Sequence, residues 1–175
     1  MKTANLELLP QTPGHLRALL EGVENFEKSS GFKIAAGIRE MMTSDEVSAE
    51  YLAMLKSATA ADPWTFGFAV LHTADRLVIG CGGFKGPPNA DGVVEIAYGI
   101  APGYRGRGFA TEAAQRLVSY ALDSGLVRTI RAHTLPEPNA STHVLAKCGF
   151  RRIGEVTDPE DGLVWRWQYD PPPPP

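Results

Sequence analysis

The chain has 175 residues, two cysteines and a formal net charge of −3, with 43% hydrophobic and 21% charged residues. This length suffices for one domain with a buried core, and the composition is that of an ordinary globular protein. The slightly acidic balance argues against a general binder of nucleic acid or of acidic membranes. We expect one domain over residues 1–170 and a short extended proline tail over residues 171–175.

Cysteine usage and apolar segments indicate the compartment. Cys81 and Cys148 are too few and too far apart for a zinc site or a disulfide framework, so we expect no metal and a reducing setting. Residues 1–10 have no apolar signal core, and no stretch approaches the roughly 18 apolar residues of a membrane span. We therefore expect a cytoplasmic protein. The choice between monomer and homodimer stays open.

The first third of the chain predicts one strand and two helices. Residues 6–9 read as a strand, and Thr12 followed by Pro13 starts a helix. The sequence Thr-Ser-Asp-Glu at residues 43–46 has the capping-box pattern and predicts the start of a second helix. Residues 24–42 carry mixed signals, and we expect them to be irregular.

From residue 66 the hydrophobic pattern changes to the alternation of strands. Runs at 66–70, 77–84 and 93–100 predict an antiparallel meander. An alanine-rich helix follows and ends near Gly125, and a strand at 127–134 should then run parallel to the strand at 93–100. Asn139 caps a further helix that ends at Gly149, and runs at 151–156 and 163–169 form a closing hairpin. The prediction is an α+β protein in three layers, with a mixed, mostly antiparallel sheet of about seven strands and about four helices.

The stretch Tyr104-Arg105-Gly106-Arg107-Gly108-Phe109-Ala110-Thr111 joins the meander to the alanine-rich helix and predicts an anion site. Its glycines permit a tight turn, and the helix directs unpaired amides and a positive dipole end toward the loop. Two arginines add the charge that a diphosphate needs. A P-loop would need Lys and Ser or Thr after Gly108, and a dinucleotide fingerprint fits poorly because Thr111 stands where a small residue belongs. The pattern Arg105-x-x-Gly108-x-Ala110 fits (Arg/Gln)-x-x-Gly-x-(Gly/Ala) instead.

Through this pattern the chain resembles the GCN5-related N-acetyltransferase (GNAT) superfamily, which uses it to hold the pyrophosphate of acetyl-CoA. Residues 94–98, 110–113, 139–141 and 145–150 are similar to the RimJ/RimL type of ribosomal-protein N-terminal acetyltransferase. The resemblance covers roughly residues 64–167. It implies a sheet with a splayed parallel strand pair, acetyl-CoA as cosubstrate and an amine acceptor, either a protein N-terminus or a small molecule. The implied pyrophosphate-binding residues are Arg105, Gly106, Arg107, Gly108, Phe109, Ala110 and Thr111.

The resemblance also places the chemistry near the strand at 93–100. Main-chain amides of Tyr98, Gly99 and Ile100 would bind pantetheine and polarise the thioester carbonyl, with ordinary ladder pairing as the alternative. Glu95, the only acid on that strand, is the candidate general base, because apolar neighbours would raise its pKa. The alternative is a half-exposed glutamate that pairs with an arginine such as Arg131.

The candidate proton donor comes from the Asn139 helix. Many superfamily members have a tyrosine four residues before the Gly-Phe pair that ends this helix, where this chain has Leu145. Ser141 matches the serine proposed as proton donor in the resembled branch, and Asn139 is expected to hydrogen-bond pantetheine, although both are also common helix caps. His133 and Cys148 are weaker candidates, because a lone histidine is usually structural and Cys148 should be a buried thiol.

The acceptor stays open among a protein N-terminus, a polyamine, an amino sugar and an amino acid. Asp158, Glu160 and Asp161 would favour a cationic amine, although acidic turns are usually only solvated. Residues 26–42 are expected to form one wall of the acceptor cleft. Two functions follow: an N-acetyltransferase that works by direct attack, without metal or covalent enzyme intermediate, and a non-catalytic acyl-CoA-binding or regulatory module.

Overall fold

The computed structural model describes residues 1–43, 49–159 and 161–171. Within these ranges, eight strands join in one sheet with seven α-helices and one 3₁₀ turn. The strands are β1 (Leu6–Pro10), β2 (Lys33–Ile34), β3 (Phe68–His72), β4 (Leu77–Phe84), β5 (Val93–Ile100), β6 (Thr129–Thr134), β7 (Arg151–Asp158) and β8 (Gly162–Tyr169). The helices are α1 (Pro13–Glu21), α2 (Val23–Ser30), α3 (Ile38–Met42), α4 (Ala49–Ser57), α5 (Pro63–Phe66), α6 (Phe109–Asp123) and α7 (Ala140–Lys147), and the 3₁₀ turn is Pro102–Tyr104.

The sheet order is β1-β3-β4-β5-β6-β8-β7, and the short β2 pairs with β4. The β3, β4 and β5 strands form the predicted antiparallel meander, and β7 and β8 form the predicted closing hairpin. The pair β5–β6, which α6 connects, is parallel, and so is β2–β4. The predicted α+β fold with a mixed, mostly antiparallel sheet is therefore confirmed.

Helices cover both faces of the sheet. Along β3, Phe68 and Val70 pack in a core that includes Leu117 of α6, while Ala69 and Leu71 pack in a core that includes Leu19 of α1. All five residues of β3 are buried, as expected for a strand covered on both sides. This arrangement is the three-layer architecture predicted from the sequence.

The helix count is the main difference from the prediction. Residues 24–42 contain α2, β2 and α3 rather than an irregular segment. These elements are short because Gly31 (φ 75°) and Gly37 (φ 85°) adopt left-handed backbone conformations that end or begin a helix. The sequence therefore shows no sustained helical period over this stretch.

Two further boundaries differ from the prediction, and one lies outside the described residues. Phe66, the predicted first residue of a strand, is instead the last residue of α5, because Asp62 caps a helical turn and accepts from the Trp64 N–H. Strand β6 begins at Thr129, two residues later than predicted. The predicted caps Thr12 and Asn139 are confirmed. Residues 44–46 of the predicted capping box lie outside the described ranges, and α4 is described from Ala49.

The parallel pair separates along its length. Strands β5 and β6 pair only over Val93–Glu95 and Thr129–Arg131. Beyond that point β5 stays paired with β4 as far as Ile100, and β6 stays paired with β8. A gap therefore opens between the C-terminal halves of β5 and β6. The family resemblance implied a splayed parallel pair of this kind.

Gly80 of β4 permits the close approach of β5 beside this gap. A Cβ at residue 80 would lie 2.4 Å from the Gly99 carbonyl oxygen, so Gly80→Ala should destabilise the fold by about 1–3 kcal/mol. Gly14→Ala in α1 is the matched control. Its Cβ would meet Thr12 Oγ1 at an ordinary 3.7 Å, so it should be neutral or stabilising by up to about 1 kcal/mol. Urea unfolding of both variants measures the difference, and equal stabilities would contradict the packing argument.

Candidate active site

The loop before α6 ends in an uncapped helix N-terminus. Gly106 (φ 74°) and Gly108 (φ 85°) turn the chain into the helix in left-handed conformations. The Glu112 N–H donates to the Gly108 carbonyl, and within the described residues no side chain caps the helix. The amides of residues 109–111 therefore have no acceptor inside the helix and point toward the loop. Such an end favours a bound anion.

The two arginines of this loop are held differently. Arg105 Nε donates to the Ile100 carbonyl oxygen at 2.9 Å and so ties the loop to the end of β5. The Arg107 guanidinium lies over the rings of Tyr104 and Phe109, at 5.3 and 4.9 Å from their centroids. Both contacts hold positive charge beside the helix N-terminus.

A cavity of about 430 Å³ lies between the end of β5, this loop, α6 and α7. It collects nine of the eleven residues predicted to bind the cofactor, together with Ser141. Arg107 and Asn139 are not among its lining residues. The other lining residues of α7 were not predicted from the sequence. Their spacing places them on the same helix face as Ser141, and this was the signal that could have indicated them. The lining residues are Tyr98, Gly99, Ile100, Tyr104, Arg105, Gly106, Gly108, Phe109, Ala110, Thr111, Ala140, Ser141, His143, Val144 and Lys147.

The register of β5 decides which of its amides face the gap. The Ala101 N–H donates to Ile79 and the Lys85 N–H donates to Glu95, so the odd-numbered residues of β5 direct their backbone groups to β4. The amides of Tyr98 and Ile100 therefore face the gap. The Gly99 amide faces β4 instead, opposite Cys81, which corrects its predicted role as a main-chain donor.

Glu95 lies in a polar cluster rather than among apolar groups. Its Oε1 is 3.0 Å from His133 Nδ1 and 3.3 Å from Lys85 Nζ, and its side chain is 22% exposed. The expected apolar surroundings are therefore wrong, and the ion-pair partner is Lys85 rather than Arg131.

His133 is fixed in one tautomer by its other neighbour. Arg166 Nε donates to His133 Nε2 at 3.2 Å, and because a guanidinium only donates, Nε2 accepts. The proton of the neutral ring is then on Nδ1, where it is donated to Glu95. His133, a weak candidate in the sequence, is thus the group that orients Glu95.

Ser141 forms a hydrogen bond with a tyrosine from β5. Its Oγ lies 3.1 Å from the Tyr98 phenol oxygen across the cavity. Burial raises the pKa of Tyr98 to about 12, against a smaller opposing effect of this hydrogen bond. The phenol therefore keeps its proton at any working pH and can donate it to Ser141 Oγ, which leaves the serine proton free to point elsewhere.

Asn139 caps α7 through its side chain. Its Oδ1 accepts from the Thr142 N–H at 3.0 Å, and Thr142 Oγ1 accepts from the Asn139 N–H, which completes a capping box. Asn139 is therefore a helix cap, which was the alternative to its expected hydrogen bond with pantetheine. Leu145, at the position where the family resemblance suggested looking for a tyrosine, is fully buried.

Neither thiol is suited to carry an acyl group. Burial raises the pKa of both Cys81 and Cys148 to about 11, so little thiolate forms near neutral pH. Cys148 Sγ also donates weakly to the Thr111 carbonyl oxygen at 3.7 Å. Both are free cysteines.

A second cavity, of about 350 Å³, adjoins the first through Tyr98 and Gly99. Met41 and Met42 of α3 form part of its wall, and Ala97 and Gly99 of β5 form part of its floor. Because side chains alternate along a strand, Glu95 is on the same face of β5 as Ala97 and Gly99. The two cavities therefore meet at Tyr98 and Gly99 of β5.

Two of the three acidic residues of the last hairpin, Asp158 and Asp161, lie in the β7–β8 turn. Asp158 Oδ1 accepts from the Asp161 N–H at 3.1 Å and so closes the β7–β8 turn. Neither residue lines either cavity, and Glu160 lies outside the described residues.

In the described ranges, no group of three or more His, Cys, Asp or Glu side chains could hold a metal ion. No helix in these ranges is long and apolar enough to span a membrane.

The sequence profile described as "Acetyltransferase (GNAT) domain" matches residues 5–151. The chain belongs to this family. The superfamily predicted from the glycine loop and its flanks is thereby confirmed.

Two curated relatives have N-acetyltransferase names. "Uncharacterized N-acetyltransferase p20" of Bacillus licheniformis is 32% identical over 93 residues, which are 53% of this chain and 52% of that protein. "Uncharacterized N-acetyltransferase YjdG" of Bacillus subtilis is 34% identical over 73 residues, 42% of this chain and 44% of that protein. The matched region thus spans about half the length of these relatives.

Solved structures share the fold over nearly the whole chain. The ribosomal-protein-S5-alanine acetyltransferase of Vibrio fischeri has a TM-score of 0.65 and 13% identity, over 97% of this chain and 95% of that one. The microcin C7 self-immunity acetyltransferase MccE, in complex with acetyl-CoA and AMP, has a TM-score of 0.63 and 14% identity, over 96% and 93%. At these identities the likeness establishes the fold alone.

Proposed function

We propose that this GNAT domain transfers the acetyl group of acetyl-CoA to a primary amine. The observation that carries the proposal is the 430 Å³ cavity, where the uncapped α6 N-terminus, the end of β5 and Ser141 meet. Family membership and the N-acetyltransferase names of the two relatives support the same chemistry.

The donor groups of the cavity fit acetyl-CoA, which would supply an activated acetyl thioester. The amides of residues 109–111, with Arg105 and Arg107, match a diphosphate in charge and in hydrogen-bond donors. The amides of Tyr98 and Ile100 face the gap and would donate to pantetheine and to the thioester oxygen, where negative charge develops during acyl transfer.

Glu95 and Ser141 would act from opposite faces of β5. Glu95 is two residues from Ala97, about 7 Å along the strand, on the face of the second cavity. It would take the proton of an incoming ammonium group through a water, while His133 and Lys85 hold its carboxylate in place. Ser141, oriented by Tyr98 in the first cavity, would donate a proton to the departing thiolate.

We also infer that the chain lies near the RimJ/RimL type of this family. The Asn139-Ala140-Ser141 sequence and Leu145 in place of tyrosine support this assignment. The acceptor is then a protein N-terminus or a small-molecule amine. Both cysteines are free, which supports a reducing, cytoplasmic setting.

Release of free thiol from acetyl-CoA in the presence of primary amines tests the function. We expect amine-dependent turnover with any acceptor that fits. Acetyl-CoA binding by calorimetry, without turnover on peptides, polyamines, amino sugars or apolar amines, would instead indicate the non-catalytic acyl-CoA-binding module.

Gly108→Ala should weaken coenzyme A binding at least tenfold. Residue 108 has a φ of 85°, which costs an L-residue about 1–2 kcal/mol, and relief of this strain would displace the α6 amides. Gly125→Ala is the matched control, because Gly125 has a similar φ of 70° beyond the opposite end of the same helix. Titration calorimetry should show unchanged affinity for the control. Equal losses in both variants would mean that the loop does not hold the cofactor.

Glu95→Gln should lower kcat/KM at neutral pH about 10² to 10⁴-fold and move the pH optimum upward. Without a base the amine must lose its proton to solvent, so the rate then follows the amine's own ionisation. The exposed Glu137→Gln is the control and should leave the profile unchanged. An unaltered pH profile for Glu95→Gln would exclude it as the base.

Tyr98→Phe should lower kcat about tenfold, as expected for a lost hydrogen bond of ~1.4 kcal/mol in the transition state, while KM for acetyl-CoA stays unchanged. Ser141→Ala should lower kcat more. Because the phenol acts through the serine, the double variant should be no slower than Ser141→Ala alone. Initial-rate kinetics of the four proteins measure this cycle, and additive losses would show that the two side chains act independently.

A further inference from the structure

The second cavity lies where an acceptor amine would have to approach. It shares Tyr98 and Gly99 with the cofactor cavity, and Glu95 is on its face of β5. A primary amine in this cavity would therefore meet the acetyl end of the gap and the candidate base together. On the basis of the function proposed above, we propose that this cavity binds the acceptor and selects a primary amine on an uncharged, apolar body.

The wall of the cavity is apolar and aromatic. Met41, Met42, Tyr51, Phe66 and Phe84 contribute to it. Among the lining residues in the described part of the chain, none carries a charge. Burial raises the pKa of Tyr51, so its phenol also stays neutral. A polyamine or an aminoglycoside would bring further ammonium groups that such a wall cannot neutralise, because a buried charge needs a partner.

Several glycines line the cavity, and two of them allow close backbone packing in its wall. A Cβ at Gly83 would lie 2.7 Å from Gly67 Cα, and one at Gly67 would lie 2.7 Å from the Gly82 carbonyl oxygen. The backbones of β4 and of the turn after α5 are thus in contact, and a side chain at either glycine would force them apart. The volume of about 350 Å³ is near the small end for ligand sites and fits one compact group.

Met41 packs against Gly99, where the two cavities meet. A Cβ at Gly99 would be 2.4 Å from Met41 Sδ, so the thioether occupies the position that a side chain at residue 99 would take. Gly99 borders both cavities. Met41 would therefore contact the carbon next to the attacking nitrogen and favour an apolar substituent there.

Gln11 provides a polar contact within this apolar wall. The residue is 5% exposed, and its Nε2 donates to the Phe66 carbonyl oxygen at 3.3 Å. Its Oε1 is buried without a hydrogen-bond partner among the described residues. A buried acceptor of this kind is normally paired. After a rotation of the amide, a second N–H or O–H on the acceptor would satisfy it.

Two sources share this chemistry, a free arylalkylamine and a peptide whose first residue is apolar. The test compares kcat/KM for 2-phenylethylamine, a tripeptide beginning with Phe, the same peptide beginning with Asp, spermidine and glucosamine. We expect 2-phenylethylamine or the Phe peptide to exceed spermidine, glucosamine and the Asp peptide at least tenfold. Whichever of these two is faster identifies the source.

Met42→Glu tests the wall directly. A carboxylate there should lower kcat/KM for the preferred apolar acceptor at least tenfold and raise that for spermidine. Met54→Glu is the matched control, because Met54 is 36% exposed on α4 and does not line the cavity, so selectivity should not change. Gln11→Leu is a second variant, expected to raise KM fivefold or more for the Phe peptide but not for 2-phenylethylamine.

The outcomes separate this inference from the proposed function. If wild-type protein acetylates spermidine or glucosamine in preference to apolar amines, the acceptor assignment is overturned while the acetyltransferase function stands. If acetyl-CoA binds but no amine is acetylated, the proposed function fails and the acceptor assignment with it. Wild-type selectivity decides the matter even if Met42→Glu does not fold.

Discussion

The end of backbone pairing between β5 and β6, after Glu95 and Arg131, is the constraint on which the rest of the site depends. Each strand keeps its outer partner beyond that point, so neither frays although they part. The amides of Tyr98 and Ile100, which a continuous sheet would have paired, are directed into the gap. The uncapped α6 helix and the α7 helix complete a cavity around it.

Strand alternation then distributes the chemical groups. Side chains at 95 and 97 lie on one face of β5 and the Tyr98 side chain lies on the other, so a base and a proton donor can approach a common point from opposite sides. Gly99 has no side chain and borders both cavities. The alternation of side chains along this short strand would thus separate the proposed amine-binding side from the proposed cofactor-binding side.

Polar networks, rather than apolar burial, orient both candidate catalytic groups. Arg166 sets the tautomer of His133, and His133 together with Lys85 positions Glu95. Tyr98 does the same for Ser141 from across the cavity. Leu145 of α7 is buried, and the phenol that reaches Ser141 belongs to the facing strand.

The sequence by itself determined what depends on neighbours in the chain. The glycines before α6, the caps at Thr12 and Asn139, and the alternation of β3 to β5 are local signals with local causes. They predicted the fold and most of the residues that line the 430 Å³ cavity. Only the tertiary structure decided what depends on register and distant contacts. Glu95 meets His133 across 38 residues, Tyr98 meets Ser141 across 43, and the Gly99 amide turns away from the gap because of its pairing with β4. Side-chain partners and amide directions follow from how strands align, and no short stretch of sequence encodes that alignment.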